Sequence, residues 1–209
     1  MINEVLLVED LLNGKGVNKQ CMYQHCYLMS KYFLQQGLDP SEVREKIFSW
    51  ATSQKIFLNV REINVNQIIY RASHDKVRLR ENTAVMISAR DIEEIKKKFD
   101  NPKVRKVALA FLCYAKAAAN SDNEFDVSLL AFSNWLHLSY SSVRMTYLSE
   151  IIFLGYLKKI TMSNKKIHAW DSKVKSNMQR FKFLVNFKNV GEHQLIDNNI
   201  DALYDECFN

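Results

Sequence analysis

The sequence predicts a mainly α-helical protein in two parts, and three observations predict it. Only 5 glycines and 2 prolines occur in 209 residues, too few for a turn-rich β fold. Apolar residues make up 47%, ample for packed cores. Apolar side chains also recur at helical spacing between residues that start and stop helices.

In the amino-terminal part, "GVNKQCMYQHCYLMSKYFLQQG" places Val17, Met22, Cys26, Met29 and Phe33 on one helical stripe, and Gly37 is a natural stop. Asp39 then caps a second helix with Pro40 in its first turn. Val43, Ile47, Trp50 and Ala51 share one face of it. "NVNQIIYRAS" reads as a third, shorter helix. Residues 76–87, "KVRLRENTAVMI", are charged and then apolar and read as a linker. Beyond it, Ser88 opens "SARDIEEIKKKFDN", and Asn101 with Pro102 opens a stronger helix whose stripe is Val104, Val107, Ala108, Phe111 and Tyr114.

From there the expected order is a helix over 102–119, a very short strand at 125–127, a helix over 128–137, a helix over 140–154 and a strand at 156–161. The turn "MSNKK" and a return strand "IHAW" at 167–170 complete it. This order, carried by "FSNWLHLSYSSVRMTYLSEIIFLGYLKKI", resembles the winged helix-turn-helix family over residues 102–170. The resemblance implies three helices with a β-hairpin wing, the third helix being the one that reads DNA. From Val143 to Gly155 the chain is one residue longer than the family's usual spacing. The fold class expected is therefore mainly α, an amino-terminal helical domain followed by a winged helix-turn-helix with a small β-hairpin wing.

Charge points the same way. Residues 1–100 hold 15 Lys/Arg against 13 Asp/Glu, residues 101–190 hold 14 against 5, and residues 191–209 hold none against 5. A merely solvated face usually mixes both signs, so the middle block implies an anionic partner. Ser139 or Tyr140 begins the third helix, and Ser139 is suited to cap it. Val143, Leu148, Ile151 and Ile152 form its buried stripe, leaving Ser141, Ser142, Arg144, Met145 and Tyr147 outward. Arginine in such a place suits a guanine edge, and the serines suit phosphate. Lys158, Lys159, Lys165, Lys166 and His168 lie on or beside the expected wing, where they would track the phosphate backbone. Lys173, Lys175, Arg180, Lys182 and Lys188 extend the basic surface, although "RFKFLVNFK" equally suits a strand packed on the wing. The acidic segment 191–209 carries Leu195, Ile196, Ile200, Leu203 and Tyr204 as anchors, for the protein's own surface or for a partner.

Other chemistry is poorly supported. "NGKGVNK" lacks the glycine spacing and following hydroxyl of a phosphate-cradling loop, and no Ser/His/Asp or HExxH pattern is present. The histidines, 25, 74, 137, 168 and 193, are isolated. Cys21, His25 and Cys26 share a helix neighbourhood without a second ligand pair, so no metal site is expected; Cys113 and Cys207 complete a set of reduced thiols. Trp50, Trp135 and Trp170 read as core residues. No catalytic site and no cofactor follow. Glu4, Glu9 and Asp10 stand where a signal segment would lie, and the longest apolar run, Ile151 to Leu157, is broken by Gly155. A soluble, cytoplasmic chain with no membrane partner is expected.

"GVNKQCMYQHCYLMSKYFLQQGLDPSEVREKIFSW", within residues 14–70, also looks like the helical segment that follows primase catalytic domains in phage and plasmid replication proteins. That resemblance implies an accessory role in mobile-element replication without primase chemistry. The expectation is a helical domain over 1–75 for a protein partner or a second copy, a linker over 76–87, a winged-helix domain over 88–190 binding double-stranded DNA, and an acidic tail over 191–209. The protein would be a non-enzymatic duplex-DNA-binding protein of a phage, plasmid or bacterium, in replication control or transcriptional regulation. The rival is a protein-interaction adaptor that docks a winged helix on another protein.

Overall fold

A computed structural model describes residues 3–56, 64–75, 78–81, 84–160 and 178–209. The protein is mainly helical with small antiparallel sheets, and it divides into two compact units, Asn3–Asn82 and Thr83–Asn209.

The first unit holds α1 (Glu4–Leu12), α2 (Met22–Gln35), α3 (Pro40–Ser53) and α4 (Val65–His74). The Asn3 side chain caps α1 by accepting from the Leu6 N–H at 2.9 Å. A short 3-10 turn, Lys19–Cys21, precedes α2, so that helix starts later than its apolar stripe implies. Asp39 and Glu42 form a reciprocal capping box on α3, with Pro40 in the first turn. Met29, Val43, Ile47 and Ile68 are buried together, and the Trp50 indole N–H donates to the Leu11 carbonyl at 2.7 Å, joining α3 to α1. Residues 78–80 belong to this unit and not to a linker. Leu79 is buried in its core, and Arg80 pairs with Glu4 at 2.8 Å while their backbones also bond. Lys31, almost fully buried, reaches Asp75 at 3.0 Å, and the same carboxylate accepts from the Tyr27 hydroxyl at 2.5 Å.

In the second unit, β1 (Val85–Ile87) lies inside the stretch expected as a linker. It pairs antiparallel with β5 (His193–Leu195), with Val85 opposite Leu195 and Ile87 opposite His193. The segment expected as a separate acidic tail is thereby part of the fold. After β5, α9 (Ile200–Phe208) buries Ile200, Leu203 and Cys207 in the unit's core, while Ile196, expected as an anchor, is exposed. The reason is apolar burial: both short segments carry side chains that only the other elements of the unit can cover.

α5 (Ala89–Lys98) starts on a Ser88–Asp91 capping box, and α6 (Pro102–Ala118) starts on Asn101 and Pro102, both as the sequence implies. α6 runs through the centre, with Val104, Val107, Ala108 and Phe111 fully buried. β2 (Glu124–Ser128) and α7 (Leu129–Trp135) follow, with the Ser128 side chain capping α7. A helical segment from Tyr140 to Phe153 comes next, then β3 (Leu157–Ile160) and β4 (Met178–Phe183). These strands form one antiparallel sheet in the order β2-β4-β3. The partner of β3 is thus 178–183, with Leu157 opposite Phe183 and Ile160 opposite Arg180. The expected return strand at 167–170 and Trp170 lie outside the described residues.

The segment expected as one plain helix over 140–154 contains a π-turn, Ser142–Tyr147, before α8 (Leu148–Phe153). Its mark is the Leu148 N–H bonding back to the Val143 carbonyl, five residues away. The cause lies in the core spacing. Val143 and Leu148 are both buried, yet five α-helical residues would set them about 140° apart. A turn of about 4.4 residues, which the longer bond implies, brings them to within about 50°.

Two predictions follow from this packing. A Cβ on Gly191 would lie 2.1 Å from the Ile87 carbonyl carbon and 2.4 Å from the Ser88 nitrogen, both backbone atoms. Gly191→Ala should lower the second unit's unfolding free energy by about 1–3 kcal/mol, read by denaturant titration. His25, in α2, accepts from the Asn18 N–H at 3.2 Å, and its Nδ1 is buried with no partner among the described residues. Burial pushes its pKa from 6.5 down to about 4. The unfolded chain therefore binds the extra proton between those values, so stability is complete above about pH 6.5 and falls by about 3 kcal/mol towards pH 4. Hydrogen exchange of the α2 amides should record that loss of protection, and His25→Phe should remove the slope; an unchanged slope in that variant would assign it elsewhere.

Candidate nucleic-acid interface

The outward side of residues 139–147 is built on a capped helix start. Ser139 accepts from the Ser142 N–H at 3.1 Å, and its hydroxyl donates to the Ser142 hydroxyl at 2.7 Å. The Ser141 hydroxyl stands 3.3 Å from Ser139, so three hydroxyls gather at this end of the helix. Backbone N–H groups and hydroxyls in such a place suit an oxyanion.

The π-turn sets what lies beyond. Arg144, Met145 and Thr146 are consecutive and all exposed, while Val143 and Leu148 on either side are buried. Tyr147, expected outward, is half-buried and packs on the core instead, since it lies four residues on from the buried Val143 and shares its side of the helix. Tyr140 is half-buried against the same core, and its outer end holds Arg144. The guanidinium donates to the Tyr140 hydroxyl at 3.4 Å and lies 5.9 Å from the ring centroid. An exposed arginine would otherwise sample many rotamers, so this contact limits where its charge is presented. Nothing in the sequence marks Tyr140 as a contact; only the fold shows that its ring is anchored.

The sheet supplies the second basic surface, and the alternation along its strands separates residues that the sequence places together. Lys158 and Lys159 are neighbours on β3 and so point to opposite faces. Lys159 shares its face with Phe181 and Phe125, while Lys158 lies directly opposite Lys182 on the outer face. Lys182 is opposite Glu124 on its other side. Arg180 is not a free cation, since Asp126 takes it in a bidentate pair at 2.8 Å on both oxygens. That hydrogen bonding raises the arginine pKa further. Lys165, Lys166 and His168 lie outside the described residues. Lys182 was missed as a direct partner of Lys158 because no spacing rule could locate β4 across so long a connection.

Among the described residues there is no group of three or more His, Cys, Asp or Glu that could hold a metal ion, and all four cysteines are buried free thiols. Among them, too, no helix is long and apolar enough to cross a membrane. No family model, no curated protein and no solved structure matches this chain.

Like charges directly opposite across two strands destabilise a sheet. Lys158→Glu should therefore stabilise the second unit by about 0.2–1 kcal/mol at low salt, and the gain should shrink near 1 M salt as the charges are screened. Paired melting curves at the two salt concentrations check this.

Proposed function

We propose that this chain is a non-enzymatic duplex-DNA-binding protein whose α6–β4 region acts as a winged helix-turn-helix, in replication control or transcriptional regulation in a phage, plasmid or bacterium. The observation that carries this is the exposed front of the 140–153 helix, where Ser141, Arg144, Met145 and Thr146 are exposed and Ser142 is half-buried among them. Support comes from the element order α6, β2, α7, helix, β3, β4 and the sheet order β2-β4-β3, which suit a three-helix unit with a wing. Lys158 and Lys182, opposite each other on the outer sheet face, add a phosphate-contacting surface. Arg144 reads a base, and the serines and lysines fix position on the backbone.

A mobility-shift assay with genomic fragments at two salt concentrations tests this. Binding should weaken steeply as salt rises. Arg144→Ala should cost about 1–3 kcal/mol on the preferred duplex and little on random duplex, with the melting temperature nearly unchanged. Lys158→Ala should weaken all duplexes alike and reduce the salt slope by about 1. Wild-type affinity for the preferred site by Arg144→Ala would remove that residue from base reading, and a large fall in its melting temperature would make it structural.

A further inference from the structure

Met145 is 68% exposed, at the crest of the π-turn, with the cation of Arg144 on one side and the hydroxyl of Thr146 on the other. A lone exposed methionine needs no explanation. This one has a specific setting. It occupies the middle of a polar, hydroxyl-lined and cationic surface, on a turn type that is rare in helices and recurs at functional positions. Arg144 is held back on Tyr140, towards the start of the helix, so it does not cover Met145. The side chain is unbranched and adaptable, and it projects from the part of the helix that a duplex would meet first.

The major groove offers one apolar substituent that distinguishes a base pair, the C5-methyl of thymine; the other distinguishing features there are hydrogen-bond donors and acceptors. Resting on the duplex-binding function above, we propose that Met145 packs on a thymine methyl beside the base pair engaged by Arg144. The preferred site then contains a thymine recognised by its methyl group, adjacent to a guanine. The π-turn is what makes this pairing possible. In a regular α-helix with Val143 and Leu148 both buried, three consecutive outward residues would not fit between them.

The test uses the full chain and a duplex recovered by wild-type protein from a random-sequence pool, remade with each thymine replaced in turn by deoxyuridine. Deoxyuridine removes one methyl group and keeps every hydrogen bond. One position should weaken wild-type binding about fourfold, the size of one methyl group's burial. Met145→Ala should bind the thymine and deoxyuridine forms equally at that position, while Met145→Leu should still tell them apart. Equal melting temperatures for the three proteins would place the effect in recognition. The proposal is overturned if wild type is indifferent to every replacement, or if Met145→Ala discriminates as wild type does. Recovery of no duplex at all is a different result, because it overturns the duplex-binding function itself.

Discussion

A single buried ammonium organises the second unit. The Lys116 side chain, from α6, is fully buried, and its Nζ lies 2.7 Å from the Asp91 carboxylate and 2.6 Å from the Met86 carbonyl. The same Asp91 oxygen accepts from the Ser88 N–H at 2.9 Å and the Ser88 hydroxyl at 2.8 Å. One charge pair thus fastens the central helix to β1 and to the start of α5. A buried lysine is costly to desolvate, and only this dense set of partners makes the arrangement tolerable. Taking away one partner of such a pair typically costs about 3–5 kcal/mol, because the other charge stays buried alone. Through β1 the constraint passes to β5, which carries the chain into α9.

The opposite side of α6 is held by aromatic packing. The Phe111 ring stacks on Phe132 of α7 at 4.2 Å and meets Phe125 of β2 and Phe181 of β4 at 6.3 and 5.6 Å. Helix and sheet therefore share one ring cluster, and α7 is fixed relative to β4 before the outer helix is considered. That helix then has little freedom. Val143, Leu148 and Ile151 must all enter the same core, and the backbone widens into a π-turn so that they can. The exposed front, with its arginine, methionine and threonine, is a consequence of this inner requirement.

Charge is also partly settled within the unit. Asp201 of α9 pairs with Lys106 of α6, and His193 stands 2.7 Å from Glu206. Arg180 is taken by Asp126. Among the described residues, Lys158 and Lys182 gain only Glu124 between them along their row, leaving an excess of positive charge there. An oxyanion would offset an excess of that kind.

The helices were legible because their signals are local. Asp39 with Pro40, Ser88, Asn101 with Pro102, and Ser128 each announce a helix start through a cap within three residues. The buried stripe of Val143, Leu148 and Ile151 and the exposure of Arg144 were legible as well. What failed was non-local. β1 and β5 are three residues each and are separated by more than a hundred positions, so neither looks like a strand until the other is beside it. The π-turn at Ser142–Tyr147 answers to core contacts beyond the helix, and the pairing of Lys158 with Lys182 needed a strand register. Sequence alone determined where helices begin, which faces they bury and where basic charge gathers, since capping and periodicity act within one or two turns. Only the tertiary structure decided that the acidic segment completes the fold and which side chains share a surface, since pairing and burial join residues that the chain keeps far apart.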